Sequence, residues 1–323
     1  MSSRILILLF FSLGSAYPAE IGITGSILGY LFDPATGVQP ILGIPGAATI
    51  GQPLILQTAI SRVSLSLWQS YALAIAPEDS NLLLIRLADP ASVAPLAIPI
   101  AGSGLIAFSP SGSTAAIHDR DRNRILVVSG LPEGATLANE IDLSSFSGTI
   151  ESIALNDSAA SVLLGFSDSV VAIGADGHIA PVELVGHAGG MTFLYNSSDA
   201  IVADTSSSKV YLLRNVTGAT DASVLLGDFP EAAAVAVSKD NKRAFVASSL
   251  TGSISEIELS SGSVTSASCP CRPSTLAPLN GNAVFRLTEP NGSAVWLLDG
   301  DSQQSRTFFV PPFRPQTTEE PVQ

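Results

Sequence analysis

The chain has 323 residues, of which 46% are hydrophobic and 13% are charged, and its 15 basic and 28 acidic side chains give a net charge of −13. So few basic residues exclude an extended phosphate-binding surface, and therefore nucleic acid as a partner. The mean hydropathy of +0.40 is high. No apolar run of about 18 residues follows the N-terminus, so we expect no stable membrane span.

The first 16 residues have the composition of a secretory signal peptide. Arg4 supplies a positive charge, Ile5–Leu13 an apolar segment, and Gly14–Ala16 small residues that favour cleavage after Ala16. An uncleaved anchor is the alternative. We therefore expect a protein that is secreted, periplasmic or held at the cell surface.

A unit made of an apolar strand, a polar turn and a second apolar strand recurs six times along the chain. The last apolar residues before these turns lie 39 to 47 residues apart and are Leu67, Phe108, Leu155, Leu194, Val237 and Leu279. Two further short strands follow in each unit. A period of this length with several short strands is typical of β-propeller blades, and six full four-stranded units extend from about Ser61 to Pro311.

A partial unit precedes the six full ones. Ile27–Asp33 and Val38–Ile44 resemble a third and a fourth strand. One interpretation is a seven-bladed propeller whose first blade is incomplete, or is completed irregularly by Ile21–Thr24 and Gln52–Thr58. The other is a six-bladed ring with an N-terminal hairpin. We predict an all-β fold with four-stranded antiparallel blades and favour seven of them, in one domain over residues 17–312 with a flexible tail at 313–323.

One repeat carries a family resemblance. The segment from Val237 to Ser249, followed by Gly252–Gly262, resembles the YVTN-type β-propeller repeat of surface-layer and exported microbial proteins, which is similar to WD repeats. Phe108–Gly112 and Asn123–Val128 match it less fully. The resemblance implies the propeller fold and export. Similar repeats also occur in lactonases and in quinone- or nitrite-handling enzymes, so the repeat does not imply one chemistry.

The two cysteines, Cys269 and Cys271, are separated by one proline. In an exported protein they are able to form a local disulfide. Free thiols are the second interpretation, and a metal or redox site the third, although no histidine lies in that segment to complete a metal site.

The most polar segment, between the second and third strands of one unit, is expected at a rim of the central channel. It supplies most of the candidate ligand-binding residues, which are His118, Asp119, Arg120, Arg122 and Arg124. The alternative is a solvated turn that neutralises its own charge. His187 is expected on the same rim, with Asp204 and either Asp228 or Glu231 as companions, so a site with two histidines and a carboxylate is chemically sensible.

The sequence lacks a coherent catalytic set. No nucleophile elbow or phosphate-binding loop is present, and Asn156, Asp204 and Glu289 are the residues available for a lactonase-type metal site. We predict a monomeric binding or scaffold module for a protein, glycan or small ligand, without a cofactor. A metal-dependent hydrolase with its site in the channel is the alternative.

Overall fold

Antiparallel sheets repeat along the chain with little other regular structure between them. The computed structural model describes residues 25–76, 81–88, 90–216 and 222–314. Within these residues the strands form seven sheets, six with four strands and one with three. Every sheet takes its strands in chain order, and the sheets pack face to face in a ring. The protein is therefore a seven-bladed β-propeller, as the favoured interpretation of the repeats predicts.

Within each blade the strands run in order from the channel to the periphery. Blade 1 contains β1 (Ile27–Asp33), β2 (Gly37–Leu42) and β3 (Thr49–Ile50). Blade 2 contains β4 (Arg62–Leu65), β5 (Tyr71–Ile75), β6 (Asn81–Arg86) and β7 (Ser92–Pro99). Blade 3 contains β8 (Ser103–Phe108), β9 (Thr114–Asp119), β10 (Arg124–Ser129) and β11 (Thr136–Asp142). Blade 4 contains β12 (Ser152–Leu155), β13 (Ser161–Gly165), β14 (Val170–Gly174) and β15 (Ile179–Pro181).

The remaining blades follow the same order. Blade 5 contains β16 (Ala188–Phe193), β17 (Ala200–Asp204), β18 (Lys209–Arg214) and β19 (Ala222–Asp228). Blade 6 contains β20 (Ala232–Val237), β21 (Arg243–Ser248), β22 (Ser253–Glu258) and β23 (Val264–Ser268). Blade 7 contains β24 (Ala277–Pro278), β25 (Val284–Arg286), β26 (Val295–Asp299) and β27 (Arg306–Val310).

Burial between neighbouring blades accounts for the apolar composition. Every residue of β5, β9, β13 and β17 is buried, because each of these second strands is covered on both faces. One apolar cluster joins Leu73 and Leu84 of blade 2 to Ile117 and Leu126 of blade 3, and equivalent clusters fill the other junctions. Such strands read as continuous apolar runs rather than as an alternating pattern.

Blade 1 differs from the prediction in which strands it contains. The start of β1 meets the first turn of blade 7, where the Asn280 backbone N–H donates to the Leu28 carbonyl at 2.8 Å. Gly46, in the short 3-10 helix Pro45–Ala47, lies against Phe308 of the peripheral strand β27. β1 and β2 are therefore the second and third strands, and their interpretation as third and fourth was wrong by one position. Turn spacing alone did not assign these strands to their positions in the blade, because the sequence pattern offered no turn between a first and a second strand in blade 1.

Two segments, Ile21–Thr24 and Gln52–Thr58, were predicted to complete blade 1, and the structure describes only the second of them. Gln52–Thr58 forms no strand, but the Leu54 backbone N–H donates to the Val38 carbonyl at 2.7 Å, so part of this segment continues irregularly along β2. Ile21–Thr24 lies outside the described residues. The same holds for the predicted signal peptide and for residues 315–323 of the predicted tail, while Phe313 and Arg314 have no regular structure.

The two ends of the propeller are different. One end, termed the turn face, carries the turns between the first and second strands of the blades. The other end, the loop face, carries the turns between second and third strands and the connections between blades. None of the described residues belongs to a helix that is long and apolar enough to cross a membrane.

A continuous series of hydrogen bonds, termed the turn belt, connects all seven blades at the turn face. Tyr71 Oη donates to the Gly112 carbonyl between blades 2 and 3. Asp157 accepts from the Ser111 N–H at 2.6 Å and from the Asn196 N–H at 2.7 Å, which joins blades 3, 4 and 5. Each of these bonds crosses from the turn of one blade to the next.

The rest of the turn belt closes the ring. The Tyr195 N–H donates to Asn241 Oδ1 at 2.9 Å between blades 5 and 6, and the Lys239 N–H donates to the Asn282 carbonyl at 2.9 Å between blades 6 and 7. The Asn280–Leu28 bond joins blades 7 and 1. Gln69 of blade 2 completes the ring, because its Oε1 accepts from the Tyr30 N–H at 2.7 Å and its Nε2 donates to the Pro278 carbonyl at 2.8 Å.

Candidate functional site

The polar segment of the sequence forms the turn between β9 and β10 at the loop face of blade 3. Asp119 is the last residue of β9 and is completely buried. Its Oδ1 accepts the backbone N–H groups of Ala101 at 3.0 Å and Gly102 at 3.2 Å, and its Oδ2 accepts Arg124 Nε at 3.0 Å. Asp119 thus ties the connection from blade 2 to this turn, and its acceptor positions are occupied by the protein itself.

These contacts explain the ionisation of Asp119. Burial by itself raises the pKa of this carboxyl group, but the hydrogen bonds from Ala101, Arg124 and Gly102 outweigh burial and hold the pKa below its usual range. Arg124 is engaged on its other side, where Nη1 contacts Glu140 Oε1 at 2.8 Å. Both residues therefore stabilise the turn and have little capacity left for a ligand.

Arg122 lies at the edge of the hydrogen-bonded group formed by Asp119 and Arg124. Its Nη1 is 3.5 Å from Asp119 Oδ2 and 3.5 Å from the Pro99 carbonyl, and almost half of its side chain is exposed. Arg122 therefore bends back over the protein, towards blade 2.

A cleft of about 380 Å³ opens on the loop face between blades 3 and 4. One wall carries His118, Arg120 and Asn123, and the opposite wall is the connection from β11 to β12. Phe146 of this connection and Phe166 of blade 4 stack with ring centres 5.7 Å apart and planes inclined by 18°. Both rings line the cleft, which therefore has an aromatic base and a polar side.

Two of the predicted ligand-binding residues define the polar side of the cleft. Burial of His118, assisted by the positive charge of Arg120 and opposed by Asp119, lowers the pKa of the imidazole, which favours the neutral form near pH 7. Arg120 is exposed and has no ion-pair partner in the part of the chain that the structure describes. The cleft thus combines an unpaired guanidinium, a neutral imidazole and aromatic surface, which suits a flat group with a negative charge.

The other predicted residues of the rim are held by their own contacts. Asp204, the last residue of β17, accepts the His187 N–H at 3.1 Å and the hydroxyls of Ser206 at 2.6 Å and Ser207 at 2.5 Å. Burial raises the pKa of Asp204, but these hydrogen bonds dominate and lower it. The ring of His187 contacts Glu151 Oε2 at 2.9 Å, so the structure pairs His187 with Glu151 and not with His118.

The remaining residues of the predicted sites are dispersed. Glu231 accepts the Ser249 hydroxyl at 3.1 Å in the connection between blades 5 and 6. Asn156 lies at the turn face, where its Oδ1 accepts the N–H groups of Ala160 and Ser161, whereas Asp204 and Glu289 belong to the loop face. Among the described residues, no three histidine, cysteine, aspartate or glutamate side chains form a group that is placed to hold a metal ion.

The cysteines lie in the connection between blades 6 and 7. Cys269 and Cys271 are joined by a disulfide, and both side chains pack against the apolar cluster of these two blades. The Cys269 N–H also donates to the Gly252 carbonyl at 2.8 Å. The disulfide therefore fixes a short connection against the loop face.

Sequence reasoning did not identify the aromatic base of the cleft. Phe146 and Phe166 are apolar residues without a motif, and nothing in their immediate sequence distinguishes them from core residues. One signal was present, since the spacing from Phe108 to Leu155 is 47 residues and is the longest of the series. The extra residues lie in the connection between β11 and β12, which forms one wall of the cleft.

Comparison with known proteins gives the fold. No family model and no curated protein matches the chain. Solved structures that resemble it include a functionally unknown protein from Desulfotomaculum acetoxidans (TM-score 0.56, 13% identity, 89% of this chain and 100% of that chain covered). Virginiamycin B lyase from Staphylococcus aureus (0.54, 14%, 79% and 84%) and Kluyveromyces lactis Hsv2p (0.53, 10%, 75% and 75%) are also similar.

These likenesses define the class of the protein as a seven-bladed β-propeller. Identities of 10% to 14% carry no information on ligand or chemistry. The relation to YVTN repeats stays a resemblance of sequence, because no family model supports it.

Proposed function

We propose that this β-propeller is an exported binding module that recognises a flat acidic group, on a small molecule or a partner, in the cleft between blades 3 and 4. The observation that carries the proposal is that the exposed Arg120 lines the same cleft as His118 and the stacked rings of Phe146 and Phe166. A rigid propeller suits a binding role, because the ring holds its loops in fixed positions.

The expected interactions have a definite energy scale. A hydrogen bond from a guanidinium to a carboxylate contributes about 1.5–3 kcal/mol, which corresponds to roughly a 10- to 150-fold change in affinity. Stacking on the phenylalanine rings adds about 0.5–1.5 kcal/mol. Loss of Arg120 should therefore weaken binding more than loss of one aromatic ring.

Benzoate is a suitable probe because it is flat, aromatic and anionic. We expect saturable binding of benzoate by calorimetry, with weaker binding of benzamide, which lacks the charge, and of cyclohexanecarboxylate, which lacks the flat ring. The Arg120→Ala variant should lose at least tenfold in benzoate affinity. Arg122→Ala is the matched control, since Arg122 lies in the same turn but is directed to Asp119 and Pro99.

Equal benzoate binding by the Arg120→Ala variant and the unmodified protein would contradict the proposed site, and so would the absence of saturable binding. The exported location is tested separately by N-terminal sequencing of the mature protein, which should begin at Tyr17.

A further inference from the structure

The interior of the ring contains a second cavity that is distinct from the cleft. It has a volume of about 340 Å³ and lies between the first strands of blades 2 and 7 and strand β1 of blade 1. Its apolar lining comes from Phe32 of blade 1, Val63, Leu65 and Leu67 of blade 2, and Ile106 and Phe108 of blade 3, and its polar lining includes Ser64, Gln69, Arg286 and Glu289. Pockets of this size that combine apolar side chains with polar groups in fixed positions are typical sites for small ligands.

Blade 1 forms one side of the cavity. The described part of this blade starts with β1, which occupies the second strand position and contributes Tyr30 and Phe32 to the walls. At the turn face, Gln69 hydrogen-bonds to both Pro278 and Tyr30, and its side chain also lines the cavity. A further cavity of about 190 Å³ shares Leu67, Phe108 and Pro278 with the 340 Å³ cavity, so the apolar interior continues towards the axis.

One end of the cavity carries a cation. Arg286 is the last residue of β25 and is buried, with 8% of its surface exposed. Its Nη1 donates to the Thr288 carbonyl and to Glu289 Oε2, the latter at 3.2 Å. Because the side chain of Glu289 is 62% exposed, it compensates the charge of Arg286 only in part, and a buried cation without full compensation is unfavourable.

We propose that the cavity binds an amphiphile with a single carboxylate and an apolar chain, its carboxylate on Arg286 and its chain between Phe32, Val63 and Phe108. The carboxylate completes the charge compensation of Arg286 by a bidentate contact. The chain gains free energy by leaving water for the apolar walls. The site is independent of the proposed cleft, which lies between blades 3 and 4.

Decanoate is the probe for this site. We expect saturable binding with one molecule per chain by calorimetry, and at least tenfold weaker binding of decanol. Arg286→Met should reduce the decanoate affinity at least tenfold while decanol binding changes little. Glu289→Gln should strengthen decanoate binding, because it removes a carboxylate that competes for Arg286, and a purely structural arginine would not produce this effect.

Val63→Phe provides a variant that leaves the charged end unchanged and fills the cavity, so it should reduce the binding of both decanoate and decanol. Its thermal unfolding shows whether the fold is kept. Benzoate binding should be unaffected by Arg286→Met, just as decanoate binding should be unaffected by Arg120→Ala, so the two sites are tested separately.

Two results would overturn the proposal. The first is decanoate binding that is equal in the unmodified protein and in the Arg286→Met and Val63→Phe variants. The second is a lack of saturable decanoate binding; strong hydrogen-exchange protection of residues 17–24 would then indicate that the N-terminal segment of the chain itself occupies the cavity.

Discussion

His118 is surrounded in a way that favours its neutral form. Burial and the charge of Arg120 lower the pKa of its imidazole, against the smaller opposite effect of Asp119. In the unfolded chain the pKa returns to about 6.5. Below that pH the unfolded chain binds a proton that the folded protein does not, so the free energy of unfolding decreases as the pH falls towards the folded pKa of His118.

Urea unfolding at pH 7.5 and at pH 5 measures this contribution. We expect the loss of stability between the two pH values to be smaller in His118→Gln than in the unmodified protein. His178→Gln is the matched control for the substitution itself, because His178 lies in an exposed hairpin turn. An unaltered pH dependence in His118→Gln would contradict the inferred protonation state.

Several turns at the turn face share one backbone requirement. Gln69, Gly112, Ala159 and Asn241 have φ angles of 57°, 71°, 58° and 58°, and each donates its N–H to the carbonyl three residues earlier. The sequence indicates this position where it carries glycine or asparagine, which adopt left-handed conformations easily. Gln69 and Ala159 were not recognisable in this way, because their conformation is imposed by the tertiary fold.

At the level of the strand, aspartates at the ends of second strands fix the loop face. Asp119 ends β9 and Asp204 ends β17, and each accepts backbone N–H groups from the connection that enters its own blade. The two residues therefore hold equivalent positions in blades 3 and 5. In the sequence, their clustering with basic or polar residues suggested ligand binding. In the structure they are buried and hold the connecting loops in place by hydrogen bonds.

Asp119→Asn should destabilise the protein by about 3 kcal/mol, because it removes the charge from a buried ion pair and leaves Arg124 partly uncompensated. Thermal or denaturant unfolding measures this loss. Asp121→Asn, an exposed carboxylate in the same turn, is the matched control and should change stability by less than about 0.5 kcal/mol. Similar stability of the two variants would show that Asp119 is not a structural anchor.

The elements of the fold were predictable to different degrees. The spacing of Leu67, Phe108, Leu155 and their equivalents predicted the six full blades that follow blade 1, because each turn follows a buried strand in the same way. The composition of blade 1 was not predictable, since the identity of its strands depends on contacts with blade 7. For the candidate site, His118 and Arg120 were identified from polarity, while Phe146 and Phe166 required knowledge of which loops are neighbours in space.

At the level of the whole molecule, the ring is closed without exchange of strands between the first and last blades in the described part of the chain. Every described sheet uses consecutive strands, so in this part of the chain the first and last blades are joined by side-chain contacts and by the turn belt. The junction of blades 7, 1 and 2 relies on Gln69, which contacts both other blades, and on Asp33, whose Oδ2 accepts the Gly292 N–H at 2.7 Å.

Gln69→Gly isolates the contribution of this side chain, because glycine accepts the positive φ angle without strain. We expect a loss of about 2–3 kcal/mol in the free energy of unfolding, since the variant loses three hydrogen bonds at a buried position. Ala159→Gly changes the equivalent turn of blade 4 and should cost little or nothing. Equal effects of the two substitutions would show that Gln69 does not close the ring.

The confinement of the turn belt to one face has a consequence for how the protein tolerates change. The turns of this face contact the next blade through side chains and backbone groups, in addition to the apolar packing between blades. The exposed loop residues of the cleft, such as residues 147–149, lie at the other end of the blades and take no part in the turn belt. Insertions and substitutions at these exposed positions can therefore alter what the protein recognises while the contacts that hold the blades together stay intact.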